Sequence, residues 1–161
     1  MISENISRYW RVSVVEVTGS TQDDIAQLVN DKKAQSGDVI ATEYQSAGRG
    51  RLDRKFEAPL SSALMFSFYI EPTREKTDWS FLTLLTGLSA VFTLSTLDPE
   101  SSPTLKWPND ILLSDGKVGG IIAQATSDGV IIGLGLNVGM TQDELPVAHA
   151  TSLALHDFSI L

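Results

Sequence analysis

The chain has 161 residues, 42% of them apolar, and carries 20 acidic against 12 basic side chains, for a formal net charge of −8. That length supports one domain with a hydrophobic core, and the composition is that of a soluble globular chain, not a disordered one. The acidic balance argues against general binding to nucleic acid or anionic lipid, which both reward Lys and Arg, and with no cysteine there are no disulfides or thiolate metal sites.

The N-terminus, MISENISRYWRVSVV, lacks a basic segment followed by a long apolar run, so no signal peptide is read there. No apolar stretch reads as long and uninterrupted enough to span a bilayer, and a cytoplasmic protein is expected. RVSVVEV (residues 11–17) is rich in β-branched residues and predicts a strand. STQDDIAQLVNDKKAQSG predicts a helix: Ser20 or Thr21 can cap it, Ile25, Leu28 and Val29 repeat at helical spacing, and Gly37 suits its end. DVIATEY (residues 38–44) reads as a buried strand. AGRGRLDRK (residues 47–55) reads as loop, because its glycines disfavour regular structure.

SSALMFSFYI (residues 61–70) is the next strand. Residues 77–97, apolar around most of their circumference, predict a well-buried helix. TLKW forms a strand that Pro108 ends. KVGGIIAQATSDGVIIGLGLNVGM predicts a hairpin of residues 118–125 and 130–138, turning at Ser127-Asp128-Gly129. The closing SLALHDFSIL reads as the start of a helix. Without a steady βαβ rhythm, this order favours an α+β fold: a mixed, largely antiparallel sheet with helices on one face.

Several segments have a composition suited to chemistry. AGRGRLDRK holds four of the twelve basic residues, Arg49, Arg51, Arg54 and Lys55. Glycines let backbone N–H groups approach a ligand, and guanidinium forks suit carboxylate and phosphate. Mutual repulsion should keep the segment mobile until an anion neutralises it. A solvated surface loop is the competing reading. In KWPND, Pro108 fixes a turn that projects Asn109 and Asp110. An Asp there suits Mg²⁺ on a nucleotide, although on composition alone a plain turn is the favoured reading.

GKVGGII places Lys117 just before Gly119 and Gly120, a point charge beside bare backbone; a twisted hairpin is the alternative. GLGLN alternates glycine with leucine, so one strand face is bare backbone up to Asn137, where a flat ring could lie; close sheet packing would also use it. GSTQ is a helix entry with two hydroxyls, for which capping suffices. His149 and His156 have no nucleophile pattern beside them. Trp10, Trp79 and Trp107 read as packing residues.

In this order, GSTQ, EYQSAGRGR, KWPND, GKVGGI, GLGLNVG and the late ATSL resemble the catalytic domain of the biotin protein ligases, and the matches run along almost the whole chain. The resemblance implies a fold related to the class II aminoacyl-tRNA synthetases. It implies that biotin carboxylate attacks the α-phosphate of MgATP to give biotinyl-5′-AMP, and that a lysine of a biotin carboxyl carrier protein then takes the biotin. It assigns Lys117, Arg51 and Arg49 to the chemistry. Ser20, Thr21, Gln45, Gly48, Gly119 and Gly120, with Arg49, Arg51 and Lys117, would bind biotin. Arg51, Trp107, Asn109, Lys117 and Asn137 would bind ATP, and Asp110 would serve Mg²⁺.

The chain departs from the family pattern at Gln22, where an Asn is usual, and at Leu52 and Asp53, which replace a basic residue and a glycine. Phe56 stands where a Trp is usual, and Gln124 where a Glu is. No N-terminal winged helix is read, so the DNA-binding branch is not implied. Residues 1–161 read as the catalytic domain without the family's small C-terminal β-barrel. A half-reaction or binding-only module, and a ligase of the same fold for lipoate or another acyl group, remain alternatives. A homodimer is allowed, since relatives pair through sheet edges.

Overall fold

Consecutive apolar residues in ALMFSFYI and VIIGLGL mean strands that are covered on both faces, and the architecture follows from that. A computed structural model describes residues 8–52 and 54–158, and residues 2–4 by their backbone. Its elements are β1 (Ile2–Glu4), β2 (Arg11–Thr18), α1 (Thr21–Asn30), β3 (Asp38–Gln45), β4 (Ala63–Ile70), α2 (Leu82–Leu97), β5 (Thr104–Lys106), β6 (Asp110–Leu113), β7 (Gly116–Ala125) and β8 (Val130–Asn137), with short 3-10 turns between some of them. One eight-stranded sheet runs β1-β2-β3-β4-β8-β7-β6-β5. Among these strands only β2 and β3 pair in parallel, joined through α1, so the expected mixed, largely antiparallel α+β sheet is found.

Side chains alternate between faces along a strand, and the two faces carry different helices. On one, Tyr69 and Ile131 pack against Ile25 of α1. On the other, Ile121, Ile132, Leu134 and Leu136 join Phe66, Phe68 and Leu94 of α2 in the larger core. The helices therefore flank opposite faces, correcting the expectation of one face. The reason lies in β4 and β8, whose apolar residues occupy both parities, so each face needs a cover. Each fully buried Ile or Leu there contributes about 1.5–3 kcal/mol.

The helix at residues 82–97 forms as expected but is not well buried. Only Gly87 and Leu94 are buried, and Gly87 lets the helix approach Leu105 and Ile121. Leu85, Leu88 and Phe92 are exposed, Phe92 by 74%. Thr86, Ser89, Thr93 and Thr96 each donate their hydroxyl to the carbonyl four residues back, so the helix has little polar surface to offer water. With the 3-10 turn before it, the apolar run Lys76–Leu97 reaches 22 residues, long enough by length and composition to cross a membrane. That corrects the reading of the sequence, which found no such stretch; here the run packs along β5, β6 and β7.

Strands β1 and β6 were not anticipated. β6 turns into β7 through Ser114 and Asp115, both left-handed at φ 47 and 68°, the geometry of a two-residue hairpin turn. SDG was the available signal. The hairpin of β7 and β8 closes as expected, with Thr126 N–H donating to the Gly129 carbonyl. At the closing segment a single 3-10 turn, Leu153–His156, forms and ends at Asp157; the last three residues of SLALHDFSIL lie outside the described residues.

Candidate functional site

The glycines of β7 and β8 make a floor. In antiparallel register, Gly120 faces Gly135, and Gly133 and Gly135 face Ser67 and Met65 of β4. On the α1 face these positions leave bare backbone. A methyl on Gly135 would lie 2.6 Å from the Phe56 ring, and one on Gly133 would lie 2.7 Å from Gln22 Oε1.

A bulge aims the lysine at this floor. Ile111 pairs with Gly119 but Leu112 with Lys117, so Val118 is an extra residue in β7. Val118 is fully buried in the core. The inserted residue resets the alternation, and Lys117 shares a face with Asp110 and Gly120. Lys117 Nζ lies 2.6 Å from Asp110 Oδ1, with both side chains about a quarter to a third exposed. Residues 149–151 lie along the start of β7: Lys117 N–H donates to the His149 carbonyl, and Thr151 N–H to that of Lys117. Asn137 Nδ2 holds this segment through the Thr151 carbonyl at 2.9 Å, leaving its amide oxygen as the group Asn137 can offer a ligand.

At the other end of the cavity, the entry of α1 presents a polar array. Gln45 Oε1 accepts from Thr21 N–H at 2.8 Å. Thr21 Oγ1 lies 2.8 Å from Ser67 Oγ, and Ser67 donates to Gln22 Oε1 at 3.2 Å. Ser20 is 2% exposed and its buried hydroxyl has no partner. It is not used as a helix cap, so capping does not account for the serine. A buried hydroxyl without a partner costs about 1–3 kcal/mol, which a ligand would recover.

The basic segment is a loop, as expected, drawn into a short hairpin over this trench. Arg49 bridges Lys55, Gly50 N–H donates to the Arg54 carbonyl, and Phe56 N–H to that of Gly48. Two of its arginines already have partners: Arg49 with Asp23 at 2.6 Å, and Arg51 Nη1 with Asn109 Oδ1 at 3.0 Å. The Asp23 carboxylate counters the charge of Arg49, and the neutral Asn109 amide oxygen accepts from Arg51, so a bound anion is not the only group that holds these side chains. Asp53 lies outside the described residues.

All but one of the expected site residues line a single cavity of about 460 Å³: Ser20, Thr21, Gln45, Arg49, Arg51, Trp107, Asn109, Asp110, Lys117, Gly119, Gly120 and Asn137. Gly48 does not. A side chain there would strike the Phe56 carbonyl, so this glycine closes the base of the hairpin. Gly119 borders the cavity, but a methyl on it would meet the Gly135 carbonyl oxygen at 2.7 Å and Leu136, so close packing is what demands glycine there. Trp107 is 77% exposed, not a packing residue; Trp79, buried in the core, is one. Residues the sequence reading passed over include Ser67 and the wall residue Ile122, and Asp23, which pairs with Arg49. The alternation of Ser67 within an apolar strand was the signal for the first. A second cleft, of about 830 Å³, adjoins this cavity between the entry of α2 and the edge of β7. Among the described residues, no group of three metal-ligating side chains forms.

The profile of the biotin/lipoate A/B protein ligase family matches residues 14–137. Among curated proteins, the chain is 34% identical over 148 residues to a biotin–[acetyl-CoA-carboxylase] ligase of Mycobacterium tuberculosis, covering 89% of this chain and 55% of that protein. It is 30% identical over 154 residues to the bifunctional ligase/repressor BirA of Escherichia coli, covering 92% and 47%. The biotin protein ligase from Aquifex aeolicus, solved in complex with biotin and ATP, superposes with a TM-score of 0.77 at 30% identity, over 90% of this chain and 60% of that one. The chain spans about half the length of the curated relatives it matches.

Proposed function

The chain belongs to the biotin/lipoate A/B protein ligase family, and on that premise we propose that it ligates biotin, at the expense of ATP, to a lysine of a biotin carboxyl carrier protein. The observation that carries this is the polarity of one cavity: Lys117 and Arg51 lie at one end, and the unpartnered Ser20 hydroxyl with Thr21 and Gln45 at the other. A bicyclic urea ring on an aliphatic carboxylate has matching ends. The cavity volume is in the range of sites for small molecules.

In the first step a biotin carboxylate oxygen bonds to the α-phosphorus of ATP. The bond to the bridging oxygen breaks, and pyrophosphate leaves. The obstacle is charge, since an anion approaches a polyanion in an acidic protein. Lys117 Nζ and the Arg51 guanidinium would stabilise the oxygens on which charge builds, with Arg49 closing the hairpin above them. Asn137 Oδ1 suits an exocyclic amine on a purine, and Trp107 and Asn109 would line the nucleotide's side. Asp110 is a lone carboxylate, which fits Mg²⁺ arriving on the phosphates better than a resident ion; it would hold that ion and keep phosphate charge partly neutralised. Enclosure under the hairpin protects the acyl phosphate from water. In the second step the acceptor amine, having lost a proton, attacks the acyl carbon, and AMP leaves.

β6 pairs with β7 only as far as Gly120, so residues 123–125 offer a strand edge beside the cavity, where we place contact with a second copy. A cytoplasmic site of action belongs to the same proposal. The test is pyrophosphate release and biotinyl-AMP formation with biotin, ATP and Mg²⁺, beside a lipoate control. Biotin-dependent release is expected. No release, or equal release with lipoate, overturns the reading.

A further inference from the structure

We propose that Gln22, acting through Ser67, is a positioning residue that turns the Thr21 hydroxyl into an obligate acceptor and so makes the cavity select a ring with an N–H at that point. The inference rests on the biotin reading above.

Gln22 is 2% exposed. Its Nε2 donates to the main-chain carbonyl of Ile131 at 3.3 Å. The opposite orientation would set its amide oxygen against that carbonyl oxygen, two acceptors with no proton between them, so the main chain of β8 dictates which way the amide points. Oε1 must then face Ser67, which donates to it at 3.2 Å. Ser67 has one proton, now used. The 2.8 Å contact between Ser67 and Thr21 can be a hydrogen bond only if Thr21 donates.

Thr21 also lies 3.2 Å from Gln45 Oε1, which accepts the Thr21 main-chain N–H at 2.8 Å and has a second lone pair; the Ser67 contact is the shorter, and donation to either oxygen commits the proton. With its proton committed, Thr21 Oγ1 can only accept from a ligand. Ser20, next to it, has an unpartnered hydroxyl free to donate. Acceptor beside donor complements N–H beside C=O, the edge of a urea. A dithiolane ring has neither group, so the relay also rejects lipoate.

Gln22 has the reach for this because Gly133 lies beneath it: a methyl on Gly133 would fall 2.7 Å from Oε1 and 3.1 Å from Ser67 Oγ. The longer amide and the glycine form a matched pair.

The test uses the whole chain with biotin and the two cyclic carbamates in which one ring N–H or the other is replaced by oxygen. The variants are Gln22→Met and Ser67→Ala, each with its Tm measured, and binding and adenylate formation are followed. The unaltered chain is expected to disfavour one carbamate by about tenfold to a hundredfold, the effect of facing two acceptors. In Gln22→Met the Ser67 proton is released and can be given to Thr21, whose own proton then turns to the ligand, so that ratio falls towards one. In Ser67→Ala the Gln45 contact still holds the Thr21 proton, so the ratio falls less far, and the double variant behaves as Ser67→Ala alone. In each, KM for biotin rises and kcat changes little. A merely structural role would weaken all three ligands alike. Uniform weakening, or a carbamate ratio unchanged in both variants, overturns the relay while leaving biotin ligation intact. Failure of the unaltered chain to bind biotin overturns both.

Discussion

Replacing Gly135 by alanine separates a ligand floor from a packing device. The added methyl would lie 2.6–3.0 Å from three ring carbons of Phe56, too close to stay. Those atoms end a side chain carried on the hairpin and only half-buried, so the ring can swing away, and the fold should lose about 1 kcal/mol or less, or about 2–4 °C in Tm for a domain of this size. The methyl then occupies the cavity floor, where a ligand cannot displace it. Overpacking by one carbon costs about 1–3 kcal/mol, so biotin should bind about tenfold to a hundredfold more weakly. Gly119→Ala is the contrast. Its methyl meets a main-chain oxygen at 2.7 Å, which cannot rotate away, so the same cost falls on stability and Tm should drop by about 3–10 °C. Calorimetric titration with biotin and thermal melting of both variants read the two effects. If Gly135→Ala melts early and binds biotin normally, the alternating glycines serve sheet packing and the floor assigned to biotin is wrong.

Lys117→Ala should lower biotin-dependent pyrophosphate release by about a hundredfold or more, as removal of a charge-stabilising group does; Tm should fall by only a few degrees, because its partner Asp110 is about a quarter exposed and can be solvated. Chelation of Mg²⁺ should stop pyrophosphate release and leave calorimetric binding of biotin alone unchanged, since the biotin end of the cavity has no metal-ligating group. Burial raises the Tyr69 phenol above its ordinary 10.0. The folded chain therefore holds that proton more tightly than the unfolded one, and stability present below pH 10.0 is lost as pH rises towards the folded value. Tyr69→Phe should flatten the alkaline fall in urea-melt stability. An unchanged slope would locate that fall in other groups.

Local chemistry is legible in a linear chain where it depends on residue type. The glycine–arginine segment, the Pro108 turn, the lysine before two glycines and the helix entry at Ser20 all lie around one cavity, and the strands that frame them run nearly where β-branched and aromatic residues put them. Two matters here depended on distant partners. The face that Lys117 occupies is set by a one-residue bulge against β6, a strand the sequence reading did not foresee, and a register shift leaves no mark in composition. The hairpin's Arg49 and Arg51 are held by the Asp23 carboxylate and the Asn109 amide oxygen, which lie 26 and 58 positions away in sequence.

The covering of α2 shows the same division. Apolar residues around the whole helix announce low affinity for water, but burial is a property of what lies opposite, and only the sheet face beneath Gly87 and Leu94 lies opposite here. Gln22 is the sharpest instance. One amide at a helix entry reads as a small departure from pattern, and its consequence for Thr21 exists only because β8 brings a main-chain carbonyl, 109 residues onward, to the amide nitrogen. Residue types along the chain determined which chemistry is available. The tertiary structure decided which groups face each other, because hydrogen bonds and packing act over a few ångströms of space whatever the distance along the chain.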